Sequence, residues 1–286
     1  MKKAKVELLI SVIVFGTIGL LRRYVSISSE VLAMFRGLIA GAFLFLFITL
    51  SKNKSFDKEA IKKNLKILIL SGSIIGFNWI ALFEAYNYTT IAKSTLCYYT
   101  EPVFVIIASS LLLKEKLSTK KIFCVIAALT GMVFVSGVIG ETLSKNETLG
   151  IIYGLISAIM YATVTILNKY LKDIGSFDRA FVQLTCAGVV TIPYVLLIDA
   201  FPHGGVTTMD IFLILLMGVF YTGITYCLWF DAVGKLPAQT VAVLSYIDPV
   251  VAIICSALFL NEAIGLIELI GAILIIGSAI ISEKGE

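Results

Sequence analysis

Apolar runs of about 20 residues, parted by short polar breaks, follow one another along the whole chain. They cover roughly 6–22, 30–50, 64–86, 91–113 and 120–138, then 148–169, 178–200, 210–231, 237–260 and 263–282. A helix of that length crosses a hydrocarbon core of about 30 Å, so the pattern predicts ten transmembrane helices. Several breaks are only a few residues long, which makes neighbouring helices antiparallel. The start, "MKKAKVELLISVIVFGTIGLL", has the basic-then-apolar order of a signal peptide without a small-residue cleavage site, and it reads as the first span. No linker or low-complexity stretch sets off a soluble domain.

Two of these runs contain a carboxylate directly before a proline. "YYTEPVFVII" covers 98–107 and "SYIDPVVAII" covers 245–254, 147 positions apart. Sliding the chain by that distance aligns 83–115 with 230–262, with identities at eleven of 33 positions. Apolar matches come cheaply in such a chain. The matches Tyr99/Tyr246, Pro102/Pro249, Ser109/Ser256 and Glu115/Glu262, with the acid pairs Glu84/Asp231 and Glu101/Asp248, do not. At a shift of 146, "LISVIVFGTIGLLRRYV" meets "LISAIMYATVTILNKYL". The chain is a repeat of two five-span units, 1–140 and 148–284. An odd number of spans forces the second unit to insert upside down, an architecture that places transporter sites where the repeats meet.

Composition agrees with the pattern. Residues are 59% hydrophobic and only 15% charged, with mean hydropathy +0.98, which excludes an ordinary soluble fold. The net charge of +4 matters less than its placement. Eighteen of the 23 Lys and Arg residues fall on the side that holds both termini; Arg22, Arg23, Lys93 and Lys145 fall on the other, and Arg36 lies within a span. The positive-inside rule therefore puts both termini in the cytoplasm. The expected setting is a bacterial cell membrane, crossed many times.

The polar residues inside the spans are the candidates for chemistry. Glu101 and Asp248 fall near mid-bilayer, where an ionised carboxylate costs about 2.5–3.5 kcal/mol on insertion scales and must face a cavity or a partner. Each following proline removes an N–H and frees a carbonyl one turn back, so two kinked helices are expected to cross at the centre. Alternatively the acids bond to neighbouring helices and only hold the kinks. Tyr98 lies one turn before Glu101, and Ser245 holds the same place beside Asp248. Tyr99 and Tyr246 sit two residues before the acids and are expected to point toward an adjoining helix; Tyr246 and Tyr98 are nonetheless counted as candidate substrate contacts. Asn78 lies deep in the third span, with Trp79, Phe83 and Tyr86 as aromatic walls. Trp79 and Trp229 would also serve as interfacial anchors. Arg36 either snorkels outward or turns inward, to pair with Glu101 or to grip a substrate carboxylate bidentately. Glu84 near the outer surface and Asp231 near the inner one are candidate gate residues, or simply hydrated interfacial acids.

Other chemistry is poorly served. Cys97, Cys124, Cys186, Cys227 and Cys255 lie inside apolar segments without metal-ligand spacing and read as small hydrophobes. The single histidine, His203, lies in a Pro/Gly loop, so neither a metal centre nor a Ser/His dyad is expected. No cofactor, nucleotide-binding motif or nucleic-acid partner is indicated. The glycine pairs Gly37/Gly41, Gly72/Gly76 and Gly150/Gly154 have the spacing that lets helices approach closely.

The two five-span halves, the proline in the fourth and ninth spans and a glutamate closing each ("LLLKEKLS", "LFLNEAIG") resemble the EamA-type members of the drug/metabolite transporter superfamily. The resemblance covers nearly the whole chain. It implies an all-α membrane protein of ten helices in two inverted repeats around a central cavity, moving a small metabolite by alternating access. It names no substrate, and the acid before each proline departs from the broad family pattern. Two acids among aromatic rings suit an organic cation; an inward Arg36 makes the site bipolar and suits a zwitterion; Arg36 neutralising Glu101 suits an uncharged heterocycle. Glu101 is the candidate carrier of a coupling proton. Export is the expected direction. A facilitative or exchange importer, a membrane scaffold and an intramembrane enzyme are the competing readings.

Overall fold

The computed structural model describes residues 2–22, 24–51, 55–89, 94, 97–116, 118–135, 145–202, 205–260 and 266–283. Arg23, Lys93, His203 and Glu262 lie outside the described residues, as do the side chains of Arg22, Phe83 and Tyr86. Among the described residues every regular element is a helix. The first half holds α1 (Lys2–Gly16), α2 (Ile18–Arg22), α3 (Ser29–Leu50), α4 (Lys58–Tyr88), α5 (Glu101–Leu112) and α6 (Thr119–Val135). The second holds α7 (Lys145–Tyr170), α8 (Ser176–Leu197), α9 (Thr208–Leu216), a π-helical stretch (Met217–Ile224), α10 (Thr225–Lys235), α11 (Ala238–Ser245), α12 (Ile247–Leu260) and α13 (Leu266–Glu283). Five continuous helical stretches here are long and apolar enough to cross a membrane: Ser29–Leu50, Lys58–Leu82, Lys145–Tyr170, Ser176–Leu197 and Thr208–Lys235. Shorter apolar helices accompany them. Large apolar side chains such as Leu111, Phe123, Leu197 and Leu258 cover the outside, as a lipid-facing surface requires.

Polar breaks in the sequence become helix caps. Ser28 accepts from the Val31 N–H, and Asp57 from the Ala60 N–H. Thr207 and Asp210 form a capping box, and Asp210 also accepts from the backbone and hydroxyl of Ser26 at 2.7 and 2.6 Å. Each cap satisfies N–H groups that a helix start leaves open.

The fourth and ninth spans differ from the expectation of kinked but continuous helices. Tyr99 and Thr100 form a turn before α5, and Tyr246 separates α11 from α12. The prolines account for both breaks: Pro102 has no N–H for the Tyr98 carbonyl, nor Pro249 for that of Ser245. Neighbouring hydroxyls stabilise the breaks, Thr100 Oγ1 donating to the Cys97 carbonyl at 2.6 Å and Ser245 Oγ to that of Val241 at 2.9 Å. The predicted eighth span is also irregular. Thr222 and Thr225 donate to carbonyls five residues back, at 2.8 and 2.9 Å, within and at the end of the π-helical stretch.

Packing between the halves is reciprocal. Helix α3 packs on α8, and α6 on α13. Helix α4 packs on α7 as α1 packs on α10, and α5 on α7 as α12 on α1. Exchanging the halves maps this set of contacts onto itself. The glycine pairs lie at the closest approaches. A Cβ on Gly37 would stand 2.6 Å from the Gly188 nitrogen, one on Gly72 2.6 Å from the Gln183 carbonyl, and one on Gly154 2.8 Å from the Cys97 Cβ. Backbone cannot yield as a side chain can. Gly37→Val is therefore expected to cost about 1–3 kcal/mol of overpacking, read as a loss of several degrees in Tm of the purified protein; an unchanged Tm would show that the α3–α8 crossing is not fixed there.

Candidate functional site

A cavity of about 250 Å³ lies between the two halves. Its wall is made largely of residue pairs related by the repeat: Glu101 with Asp248, Tyr98 with Ser245, Trp79 with Tyr226, Leu82 with Trp229, and Phe15 with Tyr161. The cavity therefore sits where equivalent parts of the two units meet. Both tryptophans of the chain line it.

Glu101 is the first residue of α5 and Asp248 the second of α12, so each carboxyl stands at the start of a half-helix. The N-terminal end of a helix dipole favours an anion by about 0.3–1 kcal/mol, which partly offsets the cost of holding two acids away from water. Glu101 is 7% exposed and accepts from Thr165 Oγ1 at 3.3 Å. Asp248 accepts from the Tyr99 hydroxyl of the other half.

Arg36 breaks the symmetry. Its repeat counterpart is Gln183, which is fully buried and exchanges hydrogen bonds with Asn168 at 3.0 and 3.3 Å. Arg36 instead lines the cavity, only 8% exposed, with its guanidinium carbon 5.1 Å from the centre of the Trp79 ring. Its Nε donates to Thr222 Oγ1 at 3.1 Å. No ion pair joins it to Glu101 or Asp248, and its Nη atoms have no partner among the described residues. Trp79 belongs to an aromatic wall in which Tyr226 stands 6.5 Å from Trp79, and Tyr161 5.5 Å from Trp229, centre to centre. The arrangement offers a fixed cation, two acids and flat apolar faces within one small volume.

Five of the sequence candidates, Arg36, Trp79, Tyr98, Glu101 and Asp248, thus converge on this cavity. Two do not reach its wall. Asn78 Nδ2 donates to the Ser157 carbonyl at 2.7 Å and to its hydroxyl at 2.8 Å, tying α4 to α7. One residue on from Asn78 is a turn of about 100° round the helix, which is why Trp79 faces the cavity and Asn78 faces α7. The repeat equivalents of this pair, Ser11 and Thr225, tie α1 to α10. Tyr246 is fully buried among Ala128, Met132, Val250 and Ile275. Tyr161, Tyr226, Thr165 and Thr222 belong to the site without having been singled out. Tyr226 and Tyr161 were within reach through the shifts that match them to Trp79 and Phe15. Trp79 and Trp229, candidate interfacial anchors, are buried in the wall instead.

Glu84 and Asp231 stand at opposite ends of the bundle. Glu84 accepts from the Tyr194 hydroxyl, which also interacts with Glu30 at the start of α3. Asp231 shares a groove of about 390 Å³ with Phe47 near the end of α3, together with Lys3, Glu7 and Lys235. It accepts from the Lys235 ammonium, and the Glu7 carboxyl lies in the same groove. The cavity includes Leu32 and Arg36 from the first eight residues of α3 and so lies nearer the Glu84 end.

The Asp231 end is clamped once between the halves and once within the second. Glu115 of the first half accepts from the Ala238 and Gln239 N–H groups at 2.9 and 3.3 Å, capping α11. Lys169 donates to the Val233 and Leu236 carbonyls at the end of α10. Glu115→Ala leaves the N-terminus of α11 open and is expected to cost about 1 kcal/mol or more, lowering Tm by roughly 2–4 °C. An unaltered Tm would mean that this cap is not holding the half-helix.

Comparison with known proteins places this geometry. The model of the EamA-like transporter family matches residues 4–137 and again 148–283. The uncharacterized transporter YxxF of Bacillus subtilis (strain 168) is 26% identical over 261 residues, covering 90% of this chain and 81% of its own. The uncharacterized transporter YoaV of the same strain is 25% identical over 223 residues, covering 78% and 75%. A solved crystal structure shares the fold with TM-score 0.86 over 98% of both chains, at 16% identity.

Proposed function

Since the chain belongs to the EamA-like transporter family, matched over both of its halves, we propose that it is a secondary transporter that exports a small zwitterionic metabolite with an apolar or aromatic side group. The proposed frame is ten spans in two inverted five-helix repeats, 1–140 and 148–284, with both termini in the cytoplasm. Reciprocal helix packing and the asymmetric placement of 18 of the 23 basic residues support that frame. In this orientation the cavity lies nearer the external side, which favours an outward-facing reading of this conformation.

The observation that carries the substrate class is Arg36. A cation nine-tenths buried, with free Nη groups and no carboxylate bonded to it among the described residues, is costly to hold. A ligand carboxylate gripped by the guanidinium fork would offset that cost and fix the ligand's direction. The ligand's ammonium then lies toward Glu101 and Asp248, and its side group lies against Tyr161, Trp229 and Tyr226. The cavity volume sets a size limit, since about 250 Å³ falls below the usual range for drug-sized ligands. In this mechanism substrate and proton occupy the site alternately, with Glu101 carrying the proton, Glu84 and Asp231 standing at the two gates, and the half-helices before and after each proline moving as access alternates.

A thermal-shift comparison of the purified protein tests the reading. A ligand at 100 times its Kd stabilises by about 2.7 kcal/mol, which corresponds to several degrees. Zwitterionic amino acids with apolar side chains should give such shifts, whereas nucleobases and quaternary amines should not. Stabilisation by quaternary amines alone would remove Arg36 from the ligand site and restore the organic-cation reading.

A further inference from the structure

The cavity wall is symmetric in five residue pairs, but not in the pair that precedes the acids. Tyr99 and Tyr246 are repeat equivalents, each in the break before a half-helix. Tyr99 lines the cavity and donates its hydroxyl across the repeat to Asp248. Tyr246 is fully buried beside Tyr99, its hydroxyl has no hydrogen-bond partner among the described residues, and it interacts electrostatically with Glu101 across the repeat. Glu101 meanwhile takes a long bond from Thr165, whose repeat position in the first unit holds no hydroxyl: Ile18 at one shift, Gly19 at the other.

A buried hydroxyl without a partner is costly, and such groups in native proteins call for a reason. An inverted repeat supplies one. If the two units exchange conformations as access alternates, the bond made here by Tyr99 to Asp248 has a mirror image, made by Tyr246 to Glu101. We propose that the two tyrosines are alternating latches. Tyr99–Asp248 holds the conformation seen here. Tyr246–Glu101 holds the opposite-facing one, with Glu101 passing from Thr165 to Tyr246 and Asp248 released. Each state then leaves one tyrosine hydroxyl unpaired, so neither is strongly preferred, as turnover requires. This assignment rests on the alternating-access reading above and adds to it the residues that set the balance.

The test uses the purified full chain in detergent, where both ends are accessible, with its five cysteines replaced by alanine. Leu82→Cys reports on the cavity and Leu228→Cys on the groove at the Asp231 end. The readout is the ratio of their maleimide labelling rates. Tyr246→Phe deletes only the latch of the opposite state, so the ratio of the Leu82 to the Leu228 site should rise roughly tenfold, the weight of one hydrogen bond to a charged group. Tyr99→Phe should lower it by a similar factor. Thr165→Val, which removes Glu101's present partner, should shift it in the same direction as Tyr99→Phe and serves if a tyrosine variant folds poorly. Shifts of Tyr246→Phe and Tyr99→Phe in the same direction, or a ratio for Tyr246→Phe within twofold of the parent, would overturn the latch. Failure of the two sites to respond reciprocally to a transported ligand in the parent would instead overturn alternating access itself.

Discussion

Arg36→Met should abolish transport while leaving the unliganded protein at least as thermostable as before. The two halves of that result have one cause. Arg36 is buried against Trp79 with no carboxylate bonded to it among the described residues, so removing its charge removes a desolvation cost. Methionine keeps an unbranched, polarizable side chain against the ring, and Thr222 keeps its bond to the Met217 carbonyl. A ligand carboxylate, by contrast, loses the only cation among the described residues that line the cavity. Truncating one side of a buried charged pair costs about 2–5 kcal/mol, or roughly 30-fold to several thousand-fold in affinity. Arg36→Lys should fall between, because an ammonium keeps the charge but not the bidentate fork. Transport in proteoliposomes and Tm measured on the same preparations check this. A large fall in Tm with transport spared would make Arg36 a structural residue.

Glu101→Gln should reduce uptake driven by an imposed pH gradient to the level of empty vesicles, while counterflow exchange of substrate continues. An amide cannot carry a proton between the two sides, but it retains the size of the side chain and an oxygen that accepts from Thr165. The lost interaction with the start of α5 is worth only about 0.3–1 kcal/mol, so folding should be little changed. Asp248→Asn supplies the contrast. It weakens the ammonium subsite and the Tyr99 bond, and should lower affinity while leaving the response to a pH gradient in place. Wild-type pH-driven transport in Glu101→Gln would remove Glu101 from proton coupling.

Much of this site could be read before any coordinates. The proline-flanked acids, matched across 147 positions, identify two equivalent elements, and in the structure Glu101 and Asp248 do share one cavity. Glycine spacing at Gly37, Gly72 and Gly154 identifies helix crossings because only an absent side chain permits them. Position along each helix was legible, but direction round it was not. Asn78 and Trp79 are adjacent, yet one bonds to α7 and the other lines the cavity, and a residue count does not say which. Tyr246 was equally ambiguous, its direction set by the break before α12. The broken helices themselves were understated: a proline announces a lost hydrogen bond, but neighbouring hydroxyls such as Thr100 decide whether the backbone bends or separates. The π-helical stretch at Met217–Ile224 has no sequence signature of its own. The aromatic wall was legible only in part, because Tyr226 and Tyr161 emerge when the repeat shift is carried through every span rather than confined to the acids.

The most direct measurement is a titration of intrinsic tryptophan fluorescence in the purified protein. Trp79 and Trp229 are its only tryptophans, and both line the cavity, so the signal comes from the proposed site alone. A zwitterionic ligand identified by thermal shift should change the emission saturably, at concentrations matching its transport KM. The change should vanish in Arg36→Met and weaken in Asp248→Asn. A transported substrate that leaves the emission unaltered, or binds Arg36→Met as tightly as the parent, would place the substrate site elsewhere.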